Sequence, residues 1–364
     1  VARRPTLAGR IEAVLAANWW LPDATALVRT LAPLAWVYGW LADRARAKAA
    51  SAVALPVPVI VVGNFVVGGA GKTPTVVALV EALRRAGRRP GVISRGHGRR
   101  DGAAAEVAID SEPSAVGDEP LLIRRRCGVP VWVGRDRPAA ARALCDRYPE
   151  VDVIVSDDGL QHHRLARCIE IAVFDDRGIG NGRLLPAGPL RQALPLAPPP
   201  RMQVLYTGTV VSTPWPGCIG LRCIERAWPL ADWLAGRAGQ GQPLAALRGR
   251  PLLAVAGIAA PAQFFSMLEA LGLDLRRLPL PDHFPYLECP WDDPDAEVVT
   301  TEKDAVKLGR LSQPSLGGAR IWVLPLDLQL PQGLIDDVLA RLPAAPLADQ
   351  PSSLPSPPSG SPPP

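Results

Sequence analysis

Residues 59–80 read VIVVGNFVVGGAGKTPTVVALV. The run Val59, Ile60, Val61, Val62 is β-branched and apolar, the signature of a buried strand. Glycines at 63, 68, 69 and 71 follow, then Lys72 and Thr73. Pro74 and the apolar series Val76, Val77, Leu79, Val80, Leu83 begin a helix pattern. Strand, glycine loop, Lys-Thr and helix is the layout of a P-loop. Loop and helix N-terminal N–H groups lack internal partners and can surround phosphate oxygens. Gly68, Gly69, Ala70, Gly71, Lys72, Thr73 and Pro74 are the expected nucleotide-binding stretch. Lys72 would neutralise terminal phosphates and Thr73 would ligate Mg²⁺. A missing N–H costs nothing at Pro74, in the first turn. The usual spacing asks for glycine where Val66 stands.

Outward from this loop, residues 56–206 alternate strand and helix patterns. The strands VPVIVVG, RPGVISR, VPVWVG, VDVIVSD and IEIAVFD imply a parallel sheet covered on both faces. The fold expected is α/β: a P-loop NTPase-like lobe (49–210), a Pro/Gly-rich linker (211–249) and a second, smaller α/β lobe (250–346). In that lobe PLLAVAGIA, AEVVTT and RIWVLPLDLQL read as strands, and PAQFFSMLEALG, EKDAVKL and GLIDDVLARL as helices. The Pro/Ser tail 347–364 has too little apolar surface to fold.

Residues 1–48 stand apart. Trp19, Trp20, Trp36, Trp40 and Tyr38 cluster there, followed by Arg44, Arg46 and Lys48. The apolar run is short and interrupted by Arg29 and Pro33, against a membrane span. Tryptophans with a basic flank suit a helix on a membrane surface. A helix packed on its own domain is the competing reading.

The chain has a formal charge of +5, but only 21% charged and 5% aromatic residues. No basic run alternates with stacking aromatics, so nucleic acid is not an expected partner. The six cysteines form no Cys-x-x-Cys pair and only four histidines occur, which argues against zinc.

Ser156, Asp157 and Asp158 end an apolar strand. Carboxylates there face the ligand crevice of a parallel sheet, and one is the usual P-loop partner of Mg²⁺; a helix cap is the plainer use. Arg95 and His97 lie in SRGHG after another strand, and Asn64 follows β-run 59–63; these are substrate-site candidates. Asp118 and Glu119 in VGDEPL are candidate bases, though Gly-Asp-Glu-Pro is also turn chemistry. His283 sits in PDHFPY, and TEKDAVK places charge after a strand, where it could meet phosphate or the other lobe.

In series, VGNFVVGGAGKTP, SRGHG, GDEP, DDGLQHH, NGRLLPAGPLRQ, AGIAAPAQFF, PDHFPY and TEKDAVK resemble the tetraacyldisaccharide 4′-kinase family over about residues 55–325. The family's loop is GGxGKTP, which accommodates Val66. The resemblance implies ATP-dependent, Mg²⁺-dependent phosphorylation of the 4′-hydroxyl of an acylated glucosamine disaccharide 1-phosphate, in lipid A biosynthesis. It implies a peripheral or monotopic place on the cytoplasmic face of the inner membrane. It implies Asp118 as the base, His283 as its partner, Lys72 and Asp157 as further catalytic groups, and Thr73, Asp158 and Gln192 around the metal. Two positions depart from the family pattern: His97 replaces Tyr, and Gln192 replaces Glu. A P-loop GTPase or metallochaperone is the alternative, but no Asn-Lys-x-Asp segment reads guanine; the nearest string is Thr-Glu-Lys-Asp at 301–304.

Overall fold

The computed structural model describes residues 14–15, 17–21, 25–48, 52–97, 99, 102–236, 241–311 and 318–344. The expected tail 347–364 lies outside them.

The strands are β1 (Val59–Gly63), β2 (Pro90–Ser94), β3 (Ala105–Glu106), β4 (Val131–Val133), β5 (Val153–Asp157), β6 (Ile169–Phe174), β7 (Met202–Tyr206) and β8 (Cys218–Ile219). They form one sheet in the order β3-β4-β2-β5-β1-β6-β7-β8. All neighbours are parallel except β3, which runs against β4. Each of the five expected strands of this lobe is present. Side-chain alternation splits β1 between two cores: Ile60 and Val62 face one, Val59 and Val61 the other. Both faces are covered, so the central strands are apolar for most of their length. After β1 the chain moves one way across the sheet and after β5 the other. The crevice therefore opens at the C-terminal ends of β1 and β5.

The stretch 211–249, expected as a linker, is built into the fold. It contributes β8 to the first sheet, β9 (Leu221–Cys223) to a two-stranded ribbon, and β10 (Arg226–Pro229) and β11 (Gln242–Pro243) to a second sheet. Short strands rich in Pro, Arg and Trp carry no period-2 signal, which is why they read as irregular. The second sheet continues with β12 (Leu252–Ala256), β13 (Leu275–Pro279), β14 (Glu297–Thr301) and β15 (Arg320–Leu324), ordered β11-β10-β15-β14-β12-β13. RIWVLPLDLQL breaks at Pro325 into two strands. β15 stays in the sheet, and β16 (Asp327–Gln329) pairs antiparallel with β9.

The last helix, Gln332–Arg341, does not stay with the second lobe. It returns to the first sheet, where Leu334 and Val338 are buried and Gln203 hydrogen-bonds Asp337. Arg88 donates to the carbonyl of Pro343 at 2.7 Å. The two lobes share an apolar cluster running through helices Asp118–Cys127 and Glu302–Leu308.

Helix Ala26–Lys48 continues through Pro33. One face, with Val28, Leu31 and Ala35, packs on Leu184 and Ala187. Tyr38 Oη donates to the carbonyl of Arg191 at 3.0 Å. The opposite face exposes Leu34, Trp36, Val37, Trp40 and Leu41, with Trp36 at 74%. Among the described residues no helix is long and apolar enough to cross a membrane.

If the final helix holds the first lobe together, Leu334→Ala should cost about 2–5 kcal/mol, the range for a buried Leu truncation. Urea unfolding measures this; a cost near zero would show the helix to be dispensable.

Candidate functional site

The phosphate loop is set by two glycines in left-handed backbone, Gly68 (φ 90°) and Gly71 (φ 84°). Gly71 immediately precedes helix Lys72–Arg85, and no side chain caps it. Its first N–H groups are thus available to an anion. A Cβ on Gly71 would meet Thr207 Oγ1 at 2.9 Å, so close packing as well as φ demands glycine. Val66 is fully buried and bridges Leu190, while Val67 N–H donates to Pro189 O at 2.9 Å. The missing glycine is therefore an anchor between the loop and the segment NGRLLPAGPLRQ. From outside, Arg177 donates to Gly69 O at 2.7 Å and is itself paired with Asp175 at 2.6 Å.

Lys72 Nζ lies 3.3 Å from Asn64 Oδ1 and 3.7 Å from Asp158 Oδ1. Asn64 holds the loop by donating to Gly68 O at 3.3 Å. Asp158 also receives Arg191 Nη1 at 2.9 and 3.0 Å on its two oxygens. Burial would raise its pKa, but Lys72 and Arg191 hold it below the usual range. Asp158, expected at the metal, thus has both oxygens engaged by cations of the protein.

Asp157 differs. It is buried at the end of β5 and accepts from Ser94 Oγ at 3.0 Å. Its Oδ1 is buried without a hydrogen-bond partner among the described residues. Burial, then the charges of Glu119 and Asp158, push it well above the ordinary carboxylate range. Arg137, fully buried, donates to the Asp157 carbonyl at 3.2 Å and to Gly134 O at 2.8 Å.

Asp118 begins helix Asp118–Cys127 after Gly117, whose φ is 94°. A Cβ on Gly117 would lie 3.1 Å from Gly96 Cα, so the GDEP and SRGHG turns pack glycine on glycine. Across the lobe boundary, His283 Nδ1 lies 3.1 Å from Asp118 Oδ2. His283 adopts a positive φ of 57°, unusual for a non-glycine residue. Lys303 Nζ lies 3.2 Å from Glu119, 3.3 Å from Asp282 and 3.3 Å from His283 Nε2. Lys307 Nζ lies 4.0 Å from Asp118. Burial would raise Asp118, but the His283 hydrogen bond and the charges of Lys303 and Lys307 outweigh it, bringing it down to about 2. The hydrogen bond to Asp118 raises His283 in turn, against the effect of burial.

The structure thus gathers Asn64, Gly68, Gly69, Ala70, Gly71, Lys72, Thr73, Pro74, Asp157 and Asp158 around one loop, and Asp118 and His283 adjoin this group through Glu119, whose charge acts on Asp157. Gly69 faces the second lobe: a Cβ added to it would lie 3.8 Å from Ala259 Cβ. His97 stacks at a tilt near His283, ring centres 5.3 Å apart. Arg95 is exposed at the mouth of the same turn. Gln192 lines a cavity of about 330 Å³ with Tyr38, Arg46, Arg137, His162 and Arg191. TEKDAVK meets the other lobe through Lys303 and Lys307. Arg137, Thr207, Arg177 and Arg191 escaped the sequence reading as site residues. Only Arg191 offered a signal, lying inside the PLRQ string.

The family model described as tetraacyldisaccharide-1-P 4′-kinase matches residues 27–343. A tetraacyldisaccharide 4′-kinase of Leptothrix cholodnii is 50% identical over 292 residues, covering 79% of this chain and 83% of the relative. One from Methylibium petroleiphilum is 49% identical over 328 residues, covering 87% and 90%. The crystal structure of LpxK from Aquifex aeolicus in complex with ATP superposes with a TM-score of 0.70 at 25% identity, covering 87% of this chain and 99% of that one. These relatives bear out the resemblance carried by the motifs, and the chain belongs to the tetraacyldisaccharide 4′-kinase family.

Proposed function

We propose that this chain transfers the terminal phosphoryl group of ATP to the 4′-hydroxyl of tetraacyldisaccharide 1-phosphate, with Asp118 as the base and His283 as the group that holds it. One observation carries the assignment of roles: the 3.1 Å contact between Asp118 and His283, made by opposite lobes beside the phosphate loop. Phosphoryl transfer asks a protein mainly to position groups and neutralise charge. Lys72 and the uncapped N-terminus of helix Lys72–Arg85 would bind the phosphates. Asp158 and Asn64 would keep Lys72 pointed at them. An aspartate near pKa 2 is a weak base in water, but it stays ionised and ready to accept a hydroxyl hydrogen bond. In a loose transition state the proton need move only late.

The residues present fit a divalent cation. Asp157 has a buried oxygen without a partner among the described residues, and its raised pKa marks negative charge in want of compensation. Asp157 and the Thr73 hydroxyl would hold Mg²⁺, which supplies charge neutralisation at the phosphates when bound. Asp158 would instead orient Lys72. Gln192 brings no charge and would act on substrate or water in the cavity it lines. Arg46, Arg137 and Arg191 make that cavity suitable for an anionic lipid headgroup.

The membrane reading rests on helix Ala26–Lys48. Its exposed face combines aliphatic side chains with Trp36 and Trp40, and Arg44 lies 5.4 Å from the Trp40 ring. This geometry suits a helix lying on the cytoplasmic face of the inner membrane, where an acylated acceptor resides.

Asp118→Ala should lower kcat about 10²- to 10⁴-fold while the KM for ATP changes little, as for a group acting in the transition state. Phosphate transfer from labelled ATP to a tetraacyldisaccharide 1-phosphate measures it; an unchanged kcat would move the base elsewhere.

The four histidines allow a direct test by NMR titration. His283 should titrate above the ordinary 6.5 because its protonated form is hydrogen-bonded to Asp118. His162, half-buried near Arg137, Arg95 and Arg167, should titrate low, near 4. The stability that His283 contributes is full below about 6.5 and is lost as pH rises through its folded pKa. A His283 pKa at or below 6.5 would contradict the pairing.

The double variant Trp36→Glu, Trp40→Glu should bind anionic vesicles more weakly. Two buried tryptophans at about 1.5 kcal/mol each amount to roughly a hundredfold in partitioning. Vesicle sedimentation reads this; equal sedimentation would assign the helix to packing alone.

A further inference from the structure

Helix Asp118–Cys127 carries the proposed base at its first residue and Arg126 near its last. They are separated by more than two turns, about 12 Å at 1.5 Å per residue. Arg126 is outside the chemistry described above, yet among the described residues it is the most heavily bridged cation between the lobes. Its Nη1 donates at 2.9 Å to both oxygens of Glu302. Its Nη2 donates to Asp327 and lies 4.0 Å from Glu81. Glu302 is buried and opens helix Glu302–Leu308 of the second lobe, where Trp233 Nε1 also donates to it at 3.1 Å. Asp327 belongs to β16 of the ribbon. One guanidinium therefore joins the first lobe, the second lobe and the connection between them.

The site lies at the first turn of helix Asp118–Cys127. Lys307 approaches Asp118, and Lys303, next in sequence to Glu302, bridges Glu119 and His283 Nε2. The two helices share an apolar cluster that includes Leu122 and Ala305, and ion pairs join them at Arg126–Glu302 and at Lys307–Asp118. Apolar contact alone leaves sliding and rotation weakly resisted. A guanidinium fork fixes direction as well as distance. A shift of about 1 Å in a catalytic pair can cost about a hundredfold in rate. Stability is a poor reason for the cluster, since buried ion pairs are often no better than apolar packing.

We propose that Arg126 is a positioning residue for the transfer. By gripping Glu302 and Asp327 it sets the register of helix Glu302–Leu308, and through Lys303 it aligns His283 on Asp118. The proposal rests on the reading of Asp118 and His283 as base and partner.

Steady-state kinetics of full-length Arg126→Gln, Asp118→Ala and the double variant test it. Arg126→Gln should lower kcat about 10- to 100-fold, with the KM for ATP within about threefold. In the Asp118→Ala background the same change should cost less than about threefold, because both act through one contact. Arg126→Lys, which keeps charge but loses the fork, should recover only part of the rate. Losses that multiply in the double variant, or a KM for ATP that rises in step with the loss, would overturn the positioning role. Multiplying losses beside an impaired Asp118→Ala reject this proposal alone; a fully active Asp118→Ala rejects the base reading and this proposal with it. If Arg126→Gln does not fold, Glu302→Gln carries the same comparison, and its failure to lower kcat would overturn the proposal.

Discussion

The hydrogen bond between Asp118 and His283 is the constraint on which the rest of the arrangement depends. It joins residues from different lobes, so neither lobe contains the site alone. The backbone is bent to make it on both sides. Gly117 adopts a φ open mainly to glycine, and His283 accepts one that its side chain disfavours. Gly96 lies against Gly117 so closely that side chains would not fit. Lys303 then fills the gap between the two backbones, meeting Glu119, Asp282 and His283 together.

Around this contact the first lobe concentrates charge where it is costly to hold. Asp157 and Arg137 are both buried at the C-terminal edge of the sheet. Isolated charges there would be heavily penalised. Arg137 donates its two Nη groups to backbone carbonyls, including that of Asp157, while its buried Nε has no partner among the described residues. Asp157 keeps one oxygen without such a partner among the described residues. Structural ion pairs elsewhere in the lobe are completed differently: Arg88 meets Asp152 at 2.9 Å, and Arg167 meets Glu170 at 3.3 Å. The contrast separates carboxylates whose partners are part of the fold from one whose charge is left uncompensated.

Much of this was legible in the residues themselves. The β-branched runs at 59–62 and 153–155 and the largely apolar stretch 169–174 became central strands because both faces of the sheet are covered, and the glycine loop followed by Lys72 and Thr73 had one sensible layout. Asp118 was a candidate base from its own segment, but its pairing with His283 was legible only through the resemblance. They are 165 residues apart in sequence, and nothing local marks them as neighbours. Val66 hid its purpose because its partner, Leu190, lies far along the chain. Arg137 was invisible for a related reason: a lone arginine opening a helix looks solvent-exposed until the fold buries it. The segment 211–249 misled because its strands are short and take their order from neighbours rather than from their own pattern. The last helix misled because helix periodicity says which face is buried but not against which sheet.

The ribbon of β9 and β16 has a topological consequence. The chain leaves the first lobe along β9, builds the second sheet, and comes back along β16, with Cys223 paired to Asp327. The helix that follows rejoins the first lobe. The second lobe is therefore an insertion within the first, not a successor to it. Its two ends are cross-strand neighbours, roughly 5 Å apart at Cα. A two-residue turn suffices to span such a gap. The nucleotide-binding lobe is thus continuous in space although divided in sequence, and a shortened chain joining residue 223 to residue 327 through such a turn would keep its sheet, its phosphate loop and its final helix in their present connectivity.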